Sequence, residues 1–129
     1  MGRDQEHSVR RGVADANALL AHGVNCSLST NNVMNPFTPM GDASLIRIAN
    51  LYANILQVDR PADLGECFRM LTERSARLMN WSDYGFAVGN PGDVVILDAE
   101  TPQQAVAELA QPVAAFKAGR QTLRWCLPE

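Results

Sequence analysis

The sequence predicts an α/β protein with a helical front and a small β-rich back, and three features carry that expectation. Residues 24–29 alternate Val24, Cys26 and Leu28 with Asn25, Ser27 and Ser29, the period of two that a pleated strand imposes. Two longer segments, 42–56 and 61–79, repeat apolar residues at helical spacing. Beyond Asn80 the texture changes to turn residues, one short apolar run and a hairpin signal.

Taken in order, residues 1–10 show no periodicity and read as a disordered lead-in. Over 11–21, Val13, Ala16, Leu19 and Leu20 share one face of a short helix. His22-Gly23 ends it, with glycine supplying a left-handed cap. The strand at 24–28 follows at once. Helix, tight turn and strand make half of a βαβ unit, whose strands normally lie in a parallel sheet, yet no earlier strand is available as a neighbour. Asp42 is expected to cap the next helix, with Leu45, Ile48, Ala49, Tyr52 and Ile55 as its stripe. Pro61 suits the first turn of a third helix that carries Leu64, Phe68, Leu71 and Leu78 and runs out near Asn80. Met70, Met79 and Trp81 add packing surface to it. Val94-Val95-Ile96-Leu97 is a short apolar strand, and Thr101-Pro102 opens a helix through Leu109. A final hairpin over 113–117 and 121–125 turns at Ala118-Gly119-Arg120.

Composition narrows the function classes. With 129 residues, 47% of them apolar, and a net charge of -3, the chain can build a hydrophobic core. No basic cluster exceeds Arg10-Arg11, which argues against a nucleic-acid partner. Cys26, Cys67 and Cys126 are odd in number and widely spaced, so they fit neither a disulfide framework nor a CxxC metal clip, and a reducing cytoplasm is the expected compartment. Residues 1–11 are too polar for a signal peptide, and no apolar run reaches membrane-spanning length. His7 and His22 read as surface residues rather than metal ligands, and Asn25 and Ser29 as packing or turn residues. The His-x-Glu and Pro-Cys-x-x-Cys signature of one zinc deaminase class is absent.

The stretch with most chemistry in it is Ser29-Thr30-Asn31-Asn32, followed by an irregular loop with Pro36, Phe37, Pro39 and Gly41. A strand that ends in donors and acceptors before a rigid loop edges many α/β active sites. Asn and Ser serve turn chemistry equally well, so both readings stand on the residues alone.

Several segments, in this order, resemble the C-terminal portion of the amidohydrolase superfamily, most closely its cytosine deaminase branch. They are Arg11-Gly12-Val13 before a helix, Gly23-Val24-Asn25 at the strand, the run from Asn31 to Gly41, Leu71 to Met79, and Tyr84 to Asp98. The resemblance covers residues 10–126. It implies a partial (β/α)8 metallo-dependent hydrolase barrel, with the last βα unit in residues 11–80, plus part of a small β-sandwich in 81–129. The chemistry it implies is hydrolytic deamination by water activated on a divalent metal, zinc or iron. Asn31 then falls where the family carries a metal-linked, proton-shuttling aspartate, the catalytic and metal position. Asn32 takes the place of a neighbouring substrate-binding acid, and Phe37 that of a substrate-facing aromatic. A carboxamide offers a metal only a neutral oxygen and cannot act as a base.

The leading expectation is therefore a C-terminal fragment of a cytosine-deaminase-like amidohydrolase. A complete form would hydrolyse C–N bonds in cyclic amidine or amide substrates, whereas this chain alone is expected to be inactive and metal-free. It would meet a small heterocycle only in a complete site, and would contact neither nucleic acid nor membrane. Its lone strand and apolar helix faces predict a homo-oligomer or a complementing chain. The alternative is a non-catalytic oligomerisation or docking module derived from that fold. A third reading is a full-length relative whose asparagines bind a small amide or heterocycle without chemistry.

Overall fold

Asp15 opens the helical front by accepting a hydrogen bond from the Ala18 amide at 2.9 Å, an N-cap that starts α1 (Ala16–Ala21). The computed structural model describes residues 12–36 and 39–125, so the expected lead-in over 1–10 lies outside the described residues, as does Phe37. The first helix is shorter than expected, because helical geometry begins only after that cap.

The second helix, α2 (Leu45–Ile55), is capped by Ser44 rather than Asp42. The Ser44 hydroxyl accepts from the Arg47 amide at 3.3 Å, while the Asp42 carboxylate turns back on the Ser44 amide at 3.0 Å. Of the expected stripe, Ala49 and Tyr52 are buried, whereas Leu45 and Ile55 at its ends stay exposed. The third helix was expected to be continuous, but it is two, α3 (Pro61–Leu71) and α4 (Glu73–Leu78). Thr72, at φ -121° and ψ -102°, breaks them apart. The break is held from both sides: the Thr72 hydroxyl donates to the Phe68 carbonyl at 3.1 Å, and the Ser75 hydroxyl to the Met70 carbonyl at 2.6 Å.

The β-rich back follows the expected order. Strand β1 (Val94–Leu97) leads through α5 (Pro102–Ala107), capped by Thr101, to the hairpin β2 (Pro112–Lys117) and β3 (Arg120–Arg124). The three strands form one antiparallel sheet in the order β1-β2-β3. The hairpin turn places both Ala118 (φ 50°) and Gly119 (φ 72°) in the left-handed region that a two-residue turn requires. Asp93 fixes the turn by accepting from the Ala118 amide at 2.7 Å and pairing with Lys117. Gly92 is needed there for closeness, since a Cβ at that position would sit 3.0 Å from the Gly119 nitrogen.

One expectation is corrected. Residues 24–28 are irregular and belong to no sheet. A strand exists only as a member of a ladder, and among the described residues no second strand lies beside this one. The segment is tied at its two ends instead: the Val24 amide donates to Leu19 at 3.1 Å and the Leu28 amide to Met70 at 3.2 Å. Half of the alternation still does its work, because Cys26 and Leu28 pack on the core while Val24 remains exposed. That core centres on α3, where Cys67 and Met70 are fully buried against Ala49, Tyr52 and Val106. The α3 helix also packs on α1, α2, α4 and α5, so it is the hub from which the asparagine segment hangs.

Candidate functional site

The Leu28–Met70 bond fixes the chain immediately before the polar cluster. From there a local turn orders the next residues: the Thr30 hydroxyl accepts from the Asn32 amide at 3.0 Å and lies 3.2 Å from the Asn32 carbonyl as donor. The asparagines then form a directional ladder. The Asn35 side-chain amide donates to Asn32 Oδ1 at 2.9 Å, and Asn32 Nδ2 donates to Asn31 Oδ1 at 2.8 Å. Asn31 is exposed at the end of this ladder and Asn32 is half-buried in its middle. Asn31 and Asn32 stand side by side in this ladder, while Phe37 lies outside the described residues.

The arrangement defines what these side chains can do. Asn32 is committed on both faces, as acceptor from Asn35 and donor to Asn31. Asn31 Oδ1 already accepts one hydrogen bond, so it presents a neutral, partly engaged oxygen and an amide donor. Among the described residues no three His, Cys, Asp or Glu side chains converge as a metal-binding group. His22 sits exposed at the end of α1, and His7 lies outside the described residues. The residues described here do not by themselves fit zinc or a similar catalytic cation, which is held by several converging imidazole, thiolate or carboxylate ligands.

Two hollows are present elsewhere. A polar one of about 260 Å³ is lined by Asp42, Ser44, Arg47, Leu109 and Gln111. An apolar groove of about 330 Å³ runs along β1 between Phe68, Phe86 and the start of α5. Neither is lined by Asn31 or Asn32.

Earlier in the same segment lies a network that the sequence reading missed. Asn25 donates through Nδ2 to the Arg74 carbonyl at 3.0 Å, while its Oδ1 is buried with no hydrogen-bond partner. Arg74 reaches across the helix break to Glu66 at 2.6 Å, and Arg69 bridges Glu66 at 2.9 Å and Glu73 at 3.1 Å. The hydrogen bond from Arg74, reinforced by both guanidinium charges, holds the Glu66 carboxyl below its ordinary range. The spacing of Glu66, Arg69 and Glu73 at i, i+3 and i+7 on one helical face was the available signal for this network. Beside it, burial pushes the Cys67 thiol up to about 11, which makes it inert as a nucleophile.

Comparison with known proteins gives the arrangement a context. The description of the amidohydrolase family matches residues 2–123. The chain is 29% identical over 103 residues to the N-isopropylammelide isopropyl amidohydrolase of Pseudomonas sp. (strain ADP), covering 79% of this chain and 26% of that protein. It is similar to the crystal structure of 5-methylcytosine deaminase from Klebsiella pneumoniae liganded with 5-fluorocytosine, with a TM-score of 0.87, 29% identity, and coverage of 99% of this chain and 31% of that one. It also resembles N-isopropylammelide isopropylaminohydrolase from Burkholderia multivorans ATCC 17616, with a TM-score of 0.76, 28% identity, and coverage of 84% and 28%. The chain spans about a quarter to a third of the length of these relatives.

Proposed function

The chain belongs to the amidohydrolase family, and from that premise we propose that it is the C-terminal portion of a cytosine-deaminase-like amidohydrolase. In a complete site its substrate class would be cyclic amidines or amides, whose carbon–nitrogen bond is hydrolysed. Support for that class comes from the relatives, which are named as a 5-methylcytosine deaminase and an N-isopropylammelide isopropyl amidohydrolase. Such proteins work with a divalent metal, and among the described residues no ligand set for one converges. Asn31 and Asn32 would stand at the edge of the complete site, and the resemblance assigns Phe37 to substrate binding with Asn32. There they act as a neutral hydrogen-bonding pair that orients a heterocycle rather than as acid and base.

The observation that carries the proposal is the ladder itself. Asn31 Oδ1 accepts from Asn32 at the position where the family resemblance places a proton-shuttling carboxylate. A carboxamide there cannot take a proton from water, so that position supplies no base for the reaction. On this reading it is inactive by itself and needs a complementing polypeptide. A second reading, a non-catalytic docking module built from the same fold, is favoured by the segment at 24–28, whose strand-like alternation has no ladder partner among the described residues. Both lead to one assay: the purified chain is offered cytosine, 5-methylcytosine and N-isopropylammelide, with and without chelator. No turnover is expected. Turnover that is lost on chelation and weakened by Asn31→Ala would overturn the proposal.

A further inference from the structure

The carbonyl of Met70 is the point at which one helix becomes two. A helix that ran on would give it the Arg74 amide. It takes instead the Leu28 amide at 3.2 Å and the Ser75 hydroxyl at 2.6 Å. One turn further on, the Arg74 carbonyl accepts from Asn25 Nδ2 at 3.0 Å. Asn25 and Leu28 therefore straddle the break, the first holding α4 and the second α3. Asn25 keeps this place although its Oδ1 is buried with no partner among the described residues. A buried orphan calls for a reason, and the bond that Nδ2 makes across the break supplies one.

Nothing in the covalent chain demands the break. Residues 66–78 contain neither glycine nor proline, and Leu64, Phe68, Leu71 and Leu78 keep helical spacing through it. Two of the ion pairs are indifferent to it: Arg69 meets Glu66 at i,i+3 and Glu73 at i,i+4, as on any straight helix. The third is not. Glu66 and Arg74 would lie about 12 Å apart along the axis of a straight helix, yet they touch at 2.6 Å. That pair belongs to the broken form alone. The break is thus held from outside by residues 25–28, and from within by Ser75 and the Glu66–Arg74 pair.

We propose that residues 25–28 are a clip with two settings. Clipped, α3 and α4 stay separate and the chain just before Asn31 is fixed to the core. Unclipped, residues 61–78 run as one helix, Met70 accepts from the Arg74 amide, and the segment carrying Asn31 and Asn32 is free of α3. Asn25 is a positioning residue for the asparagine pair. Its consequence for function rests on the reading of that pair as the edge of a site, whereas the coupling is a property of the chain alone. By linkage, a ligand that engages the pair in its clipped position favours the break, and a straightened helix withdraws the pair.

The test uses the full chain without ligand, followed by backbone NMR and amide exchange. In the parent, Thr72 should show non-helical carbon shifts and Leu28 a protected amide. Asn25→Ala, far from Thr72 in sequence, should move the carbon shifts of residues 71–73 toward helical values. It should also speed Leu28 exchange about fivefold, the effect of one net hydrogen bond on an equilibrium. Ser75→Ala, on the helix side, should speed Leu28 exchange by a similar factor from the other end. Helicity at 71–73 that rises as Leu28 loses protection is the mark of a switch; a contact that merely adds stability would lower both. Stability itself is not the readout, because Asn25→Ala also removes an orphaned oxygen. Should Asn25→Ala fail to fold, Ser75→Ala decides alone. Shifts at 71–73 that stay non-helical in Asn25→Ala overturn the proposal, as does Leu28 exchange that is unchanged in Ser75→Ala. Turnover by the chain alone would sink the function proposed above and leave the clip intact, while an immovable break would sink the clip and leave that function standing.

Discussion

The amide of Leu28 donates to the carbonyl of Met70 at 3.2 Å, so the segment that delivers Asn31 and Asn32 hangs from the last turn of α3. The bond is available because α3 stops at Thr72, and the same carbonyl also receives the Ser75 hydroxyl. Leu28→Pro removes the donor and leaves a part-buried carbonyl with one partner fewer. It should cost about 1–3 kcal/mol in urea unfolding. Met70→Ala, which empties a fully buried position under the same bond, should cost about 2–5 kcal/mol. If both variants unfold with the parent, the segment is not anchored there.

These two residues also show how much was legible beforehand. The Cys26 and Leu28 face, the α2 stripe, β1 and the final hairpin were readable because each is a local period or turn signal. The break at Thr72 was not, since one residue's backbone angles depend on the segment packed against it. The strand at 24–28 was expected from its alternation, but pairing is a property of neighbours, which a one-dimensional pattern does not contain. Adjacency placed Asn31 and Asn32 together. The direction of their hydrogen bonds, and the Asn25–Arg74 bond earlier in the segment, required the fold.

Glu66 links stability to acid. Its carboxyl is held below the ordinary range by Arg74 first and Arg69 second, so the folded state binds its proton less readily than the unfolded chain. The stabilisation is complete above the unfolded carboxylate pKa and is lost as pH falls through the lower folded value. Arg74→Ala should therefore cost about 1 kcal/mol at pH 7 for this partly exposed pair, and progressively less below pH 4. Unfolding free energies measured from pH 7 to 3 check this; a cost that does not change with pH would place the contribution of Arg74 in packing.

Cys67 predicts the opposite, alkaline limb. Its thiol is pushed from 9.0 up to about 11, chiefly by burial. Well below pH 9 it is protonated in both states and contributes no pH dependence. Between 9 and 11 the unfolded chain sheds a proton that the folded chain keeps, so stability falls as pH rises, by about 2–3 kcal/mol in all. Burial raises the Tyr52 phenol as well and adds in the same direction. Cys67→Ala should flatten this limb, and in the parent at pH 8 alkylation mapped by mass spectrometry should reach half-buried Cys26 before Cys67. Equal labelling of the two would show that the core opens.

The hairpin offers a gain. Ala118 occupies the left-handed region, where a Cβ is costly and asparagine is better tolerated. Ala118→Asn makes the Asn-Gly pair that this turn prefers and keeps the backbone amide that donates to Asp93. A gain of about 0.5–1 kcal/mol in thermal or urea unfolding is expected. A loss would mean that the methyl group of Ala118 makes a contact worth more than the strain.

The asparagine ladder predicts an asymmetry between neighbours. Asn31 uses its oxygen only to accept from Asn32, so Asn31→Asp keeps that bond, now to a charged acceptor, and stands at an exposed position. Its stability should stay within about 0.5 kcal/mol of the parent. The new carboxyl should titrate below the usual range because its charged form receives the Asn32 amide. Asn32 must donate to Asn31 and accept from Asn35 at once, which a carboxylate cannot do. Asn32→Asp sets two oxygens against each other until Asn31 turns its amide over, and should cost about 1 kcal/mol. Urea unfolding ranks the two variants, and carbon-detected NMR of the introduced carboxyl gives the direction of its titration. Should Asn32→Asp prove as harmless as Asn31→Asp, the ladder has no fixed direction. Asn31 could then present its oxygen outward as readily as its amide, and the neutral, donor-bearing edge on which the proposed function rests would be gone.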